Sequence, residues 1–151
     1  MALDDESDFA GMVFMRVHDD IIETVLQHYP STQAIYLFGS YGTEYERPES
    51  DADIALLLPP DLSPKTGYFA MSRLSSDLES LLKRDVDLIN LRQASTVLRK
   101  EVVAADRRIY TGDGYAADEF EMLTLSLYQK LNEERAGIVK DAMAGGRLYQ
   151  V

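Results

Sequence analysis

Apolar residues recur at helical spacing from Phe9 to His28, through Phe9, Met12, Val13, Val17, Ile21, Ile22 and Val25, which predicts a long amphipathic helix. Ser7 or Asp8 is placed to cap its start, and Pro30 closes it. The pattern then changes. Ala34-Ile35-Tyr36-Leu37-Phe38 is a short apolar run that ends in Gly39-Ser40, so it reads as a buried strand meeting a bend. Ile54-Ala55-Leu56-Leu57-Leu58 follows Asp53 and stops at Pro59-Pro60, giving a second buried strand of ordinary length. Helical spacing returns from Lys65 to Lys83, and Val86-Asp87-Leu88-Ile89 marks a third strand. Ser95 to Ala105 reads as a shorter helix, and Arg108-Ile109-Tyr110 before Gly112 as a last strand. From Ala117 to Ala144 runs a long helical pattern with Leu123, Leu127, Leu131, Ile138 and Val139 on or near one face. Strands alternating with helices predict an α/β fold, a small mixed sheet packed by helices, with an N-terminal and a long C-terminal helix.

The long last helix has two readings. Its apolar face packs on the sheet, or it is a docking surface for a partner. The segment Gly145 to Tyr149 then closes the chain, loose or pinned on a partner. Pro59 to Thr66 is the one linker-like stretch, and no internal repeat interrupts the pattern.

The chemistry concentrates at the first bend. Gly39-Ser40 is followed, after ten residues, by Asp51-Ala52-Asp53 at the mouth of the second strand. Side chains alternate along a strand, so Asp51 and Asp53 aim at one side while Ala52 and Ile54 point away. Paired carboxylates at a strand end suit Mg²⁺, which takes one or two of them together with phosphate oxygens and water. Gly-Ser and Asp-x-Asp at one fixed spacing arise by chance in roughly one chain of this length in several hundred. The plainer reading is an ordinary turn, with the two aspartates as solvated loop residues near Pro48.

Phe38-Gly39-Ser40 followed by Ser50-Asp51-Ala52-Asp53-Ile54 resembles the signature of the nucleotidyltransferase superfamily related to DNA polymerase β. The short chain is similar to its minimal members, the MntA-type antitoxins encoded beside HEPN-domain toxins. The resemblance implies the nucleotidyltransferase fold and a third acid on a neighbouring strand, for which Asp87 is the best match, while Asp85 belongs to the preceding turn. An unpaired carboxylate inside an apolar run needs a cation or hydrogen bonds to remain charged. The plainer role for Asp87 is a strand-edge acid paired with Arg84 or a backbone amide.

By the same resemblance, Asp51 and Asp53 hold Mg²⁺ against a nucleoside triphosphate, and Asp87 binds a second ion and helps deprotonate the attacking hydroxyl. Gly39 permits close backbone approach, and Ser40 offers a hydroxyl and an amide to the phosphates. Relatives often carry Gly-Ser-x-Ala-Arg-Gly, whereas here Tyr41-Gly42-Thr43-Glu44 follows the serine, without the basic residue. Arg47 is then the candidate phosphate contact, set against its reading as a surface arginine among Glu44, Glu46 and Glu49.

Composition narrows the partners. At 151 residues and 46% hydrophobic the chain fits a single domain, residues 1–151, with an acidic start over 1–7 expected to be disordered. Cysteine is absent, which excludes disulfides and thiolate metal sites. No apolar run approaches the roughly 18 residues of a membrane span, and Asp4-Asp5-Glu6 is unlike a signal peptide, so the expectation is a soluble, cytoplasmic protein. The net charge of −11 repels a polyanion, and Lys83-Arg84, Arg99-Lys100 and Arg107-Arg108 are only isolated pairs. Long nucleic acid is thus an unsuitable direct partner, and a basic protein surface a better one. His18 and His28, ten apart, share no metal-binding face and read as ordinary helix residues, and Tyr36 and Tyr41 are the aromatics nearest the motif for stacking on adenine.

The resemblance completes the expectation: an antitoxin that transfers AMP from ATP to a tyrosine hydroxyl of a cognate HEPN ribonuclease toxin, releasing pyrophosphate, with two Mg²⁺ ions and a hetero-oligomeric assembly. Two other classes stay open: an antitoxin that masks its toxin by binding alone, and a nucleotidyltransferase acting on a small molecule.

Overall fold

The computed structural model describes residues 6–62 and 68–145. Four helices and four strands follow one another as α1 (Glu6–His28), β1 (Ala34–Phe38), β2 (Ala52–Leu57), α2 (Tyr68–Leu82), β3 (Val86–Asn90), a 3₁₀ turn (Leu91–Gln93), α3 (Thr96–Ala104), β4 (Arg108–Thr111) and α4 (Gly114–Gly145). The strands form one mixed sheet in the order β3-β2-β1-β4. β1 runs antiparallel to both β2 and β4, whereas β2 and β3 are parallel and are joined by a crossover through α2.

Strand alternation divides the core into two layers. Ile35 and Leu37 of β1, with Ala52, Ile54 and Leu56 of β2, face Ile21 and Val25 of α1 and Leu74 and Leu78 of α2. Ala34, Tyr36 and Phe38, with Ala55 and Leu57, face Val102 and Val103 of α3 and Ala117 and Phe120 of α4. β1 and β2 are covered on both sides, which is why their sequences are continuous apolar runs rather than alternating ones.

Most boundaries lie where the sequence places them, and the exceptions have local causes. α1 begins at Glu6, so Ser7 and Asp8, expected at its start, lie within the helix. Ser95 does cap α3, its hydroxyl oxygen accepting from Leu98 N–H at 3.2 Å. α4 starts at Gly114, ahead of the expected Ala117, because the Asp113 carboxylate accepts from Ala116 N–H at 3.1 Å and caps the extra turn. Most of the acidic start, part of the linker and the terminal Gly-Arg-Leu-Tyr segment lie outside the described residues.

Of the two readings of α4, packing on the sheet holds at its root only. Ala117, Phe120 and Thr124 are buried, but Leu123, Leu127, Ile138 and Val139 are each about half exposed or more. The reason is length: the helix spans 32 residues, roughly 48 Å at 1.5 Å per residue, and outruns the sheet beneath it. Among the described residues no helix is long and apolar enough to cross a membrane.

The contrast gives a direct check. Leu56→Ala, at a fully buried position of β2, should cost about 2–5 kcal/mol of unfolding free energy. Leu127→Ala should cost no more than about 0.5 kcal/mol. Urea denaturation of both variants reads the difference, and a large loss in Leu127→Ala would mean that α4 is covered where it is seen exposed.

Candidate active site

The two layers do not cover the sheet equally. Asp53 of β2 faces Phe38 across the antiparallel pair and Asp87 across the parallel one, so all three side chains stand on the α3/α4 face. The helices on that face pack at the far end, over Ala34, Leu57 and Leu91, and leave the end carrying the acids open. Asp51 and Asp87 are exposed and Asp53 is half-buried. Asp87 therefore lies at the accessible edge of the sheet, although its neighbours in the sequence are apolar. Its suggested partner Arg84 is engaged elsewhere, with the Glu46 carboxylate at 2.5 Å.

Gly39 turns the chain beside this acid. Its φ is +68°, a left-handed conformation that side chains disfavour, and a β-carbon placed there would stand 2.0 Å from Asp53 Oδ2. Only glycine lets the turn and the carboxylate occupy adjoining space. Gly42, also at positive φ, continues the turn, and Thr43 closes it through both its N–H and its hydroxyl, which donate to the Ser40 carbonyl at 3.0 and 2.6 Å. The start of β2 is fixed by Ala52 N–H donating to the Asp85 carbonyl at 2.9 Å.

Electrostatics reflect the convergence. The Asp53 carboxyl is held above its usual value by burial first and then by the charges of Asp87 and Asp51. Among the described residues no three His, Cys, Asp or Glu side chains form a ready metal cage. Mg²⁺ does not require one, since it is commonly held by one or two carboxylates with the remaining positions left to water and phosphate oxygens. A cation here would also relieve the repulsion at Asp53, so the donor set fits the ion.

Ser40 is half-buried at the turn. Arg47 is exposed in the loop between β1 and β2, where its backbone closes a turn with Ser50. Tyr36 and Tyr41 are buried and closed to a base: the Tyr36 hydroxyl donates to Glu121 at 2.9 Å, and the Tyr41 ring lies in the core with the Arg84 guanidinium 5.0 Å above it. Burial, then Glu121, pushes the Tyr36 phenol up, out of reach of titration near neutrality. His28 is held to Asp77 at 2.7 Å, as a helix residue joining α1 to α2.

One residue at this turn escaped the sequence reading. Arg107, just before β4, donates to the carbonyls of Gly39, at 3.3 Å, and Tyr41. Its one signal in the sequence was its position next to a strand that could pair with the strand ahead of Gly39. A separate cleft of about 390 Å³, lined by Arg92, Arg99, Phe120 and Leu123 among others, lies by α3 and α4 and contains none of the acids.

The sequence pattern of the Polymerase beta, Nucleotidyltransferase family matches residues 20–115. The chain is 40% identical over 124 residues to the protein adenylyltransferase MntA of Shewanella oneidensis, covering 82% of this chain and 86% of that protein. A solved toxin–antitoxin structure with AMP-PNP contains a chain 38% identical, with a TM-score of 0.70 over 83% of this chain and 98% of the other. A chain in the structure of the tri-AMPylated Shewanella oneidensis HEPN toxin with MNT antitoxin is also 38% identical, with a TM-score of 0.66 over 84% and 96%.

The raised Asp53 value has a defined sign. Its stabilising contribution is complete below 3.8, the ordinary carboxylate value, and is lost as pH rises through the higher value in the fold. Metal-free Asp53→Asn should therefore melt at or above the wild-type temperature at pH 7, with the difference vanishing in acid. Thermal melts from pH 3 to pH 8 measure it, and a variant less stable than wild type at pH 7 would contradict the electrostatic account.

Proposed function

The chain belongs to the polymerase beta nucleotidyltransferase family, and on that premise we propose that it is an antitoxin that moves AMP from ATP onto a tyrosine hydroxyl of a HEPN-domain toxin. The observation that carries this reading is the placement of Asp53 against Gly39 and beside Asp87, at the open end of one sheet face. Its relatives, a protein adenylyltransferase and a chain from the complex of a tri-AMPylated HEPN toxin with its antitoxin, support a HEPN-domain toxin as the protein modified and as the hetero-oligomeric partner.

In this proposal Asp51 and Asp53 hold Mg²⁺ against the triphosphate, and Asp87 holds a second ion. Bound Mg²⁺ supplies charge neutralisation for the transferring group and for the attacking and leaving oxygens. Gly39 and Ser40 bring backbone and hydroxyl to the phosphates, and Arg47 adds a positive charge from the loop. The tyrosine oxygen attacks the α-phosphorus as the bond to the α–β bridging oxygen breaks. AMP is left on the tyrosine and pyrophosphate departs. Asp87, exposed beside Asp53, accepts the hydroxyl proton. A nucleotide on that tyrosine places negative charge and bulk where RNA must approach, which silences the toxin. The proposed setting is the cytoplasm, with residues 1–151 acting as one minimal domain.

Mixing the chain, its HEPN-domain partner, ATP and Mg²⁺ and weighing the partner by intact mass spectrometry tests the proposal. The partner's mass should rise in whole AMP units as pyrophosphate appears. Asp51→Asn and Asp53→Asn should each slow transfer by about a hundredfold or more while partner binding persists. Wild-type rates in both variants would refute the metal assignment. An unmodified partner that is nonetheless bound and inhibited would replace transfer by masking.

A further inference from the structure

We infer that Arg107 is a positioning residue that holds the Gly39–Gly42 turn with two backbone amides presented to the nucleotide's phosphates, an inference that rests on the proposed nucleotide-binding role of this turn. Arg107 approaches from the α1 side, near His18, while the acids stand on the opposite face of the sheet. Its own backbone is anchored, since its carbonyl accepts from Leu37 N–H of β1 at 2.9 Å. From that anchor its guanidinium donates to the Gly39 and Tyr41 carbonyls.

A trans peptide points its N–H opposite to its C=O. Drawing the Gly39 carbonyl toward Arg107 therefore aims the Ser40 N–H away from it, and drawing the Tyr41 carbonyl does the same for the Gly42 N–H. Among the described residues neither amide donates a hydrogen bond. Oriented main-chain amides in a turn with left-handed residues bind anions, and Gly39 and Gly42 both have positive φ. The ion pairs of the described residues include none to Arg107, so the cation's hydrogen bonding is directed to main-chain carbonyls. It thus acts through the turn, in a sequence that places no basic residue between Gly39 and Glu46.

The test compares Arg107→Met and Arg107→Lys with wild type, using Mg²⁺-ATP as the probe, calorimetry for Kd, thermal melting for the fold, and AMP transfer to the HEPN-domain partner for kcat. Charge-assisted hydrogen bonds of this kind correspond to about a tenfold change or more in affinity. Arg107→Met should weaken Mg²⁺-ATP binding by about that factor at temperatures where it remains folded. Arg107→Lys, which keeps the charge but not the planar fork, should recover part of the loss. If Arg107→Met does not fold, the Arg107→Lys Kd alone decides: a value equal to wild type overturns the inference. Unchanged Kd in a folded Arg107→Met, with only a lowered melting temperature, also overturns it and leaves the transferase reading intact. Wild type that binds Mg²⁺-ATP but transfers no AMP defeats the transferase reading while the Kd comparison still judges Arg107. Wild type that binds no Mg²⁺-ATP overturns both.

Discussion

A carboxylate oxygen occupying the space where residue 39 would carry its β-carbon is the constraint on which this molecule is arranged. It ties the end of β1 to the beginning of β2 more tightly than strand pairing alone, because any side chain at position 39 would displace Asp53. The register follows, with Phe38 opposite Asp53, and the parallel partner strand then sets Asp87 beside Asp53 on the same face. A turn, an antiparallel pair and a parallel crossover are each common. Their coincidence around one glycine concentrates negative charge at one end of the sheet.

Concentrated like charge opposes folding unless a ligand answers it, and the surrounding cations do not. Arg84 is bound to Glu46 and lies over Tyr41, Arg108 is held by Asp118 and Glu121, and Arg92 and Arg99 donate to main-chain carbonyls beside Phe120. Each is engaged with the scaffold, Arg84 also donating to the Ser50 carbonyl at 3.4 Å. None of these four arginines is paired with Asp51, Asp53 or Asp87 among the described residues, so a cation arriving at the acidic cluster would meet charge that they leave unanswered.

Much of this was legible in the sequence because it depends on short-range rules. Continuous apolar runs betrayed β1 and β2 and helical spacing gave the four helices, whereas Asp51, which period two set on the same side as Asp53, lies just ahead of β2, whose first residue is Ala52. What escaped depends on tertiary placement. Arg107 lies 68 residues from Gly39, and nothing in its own neighbourhood says that β4 pairs with β1 on the side where it can reach the turn. Asp87 was left between a cation-bound acid in an apolar run and a strand-edge acid, since apolar neighbours do not reveal that a strand is at the sheet's edge. Tyr36 and Tyr41 looked available because they adjoin the motif, yet strand parity turns Tyr36 into one packed layer and the turn after Gly39 folds Tyr41 into the other.

Unequal coverage of the sheet's faces then decides where chemistry can occur. α1 and α2 seal one face, so Leu37, Ile54 and Leu56 carry only packing. On the other face, α3 and the root of α4 close over Ala34, Tyr36 and Leu57, and Glu121 of α4 reaches Tyr36 and Arg108. The helices stop there, while the strands continue to the acids. Extending that helical cover past Phe38 onto Asp53 and Asp87 would bury carboxylates with no cation to meet them, at a cost of several kcal/mol each. An uncovered end is therefore the arrangement that a sheet with these acids can afford, and it is also the arrangement that admits a substrate.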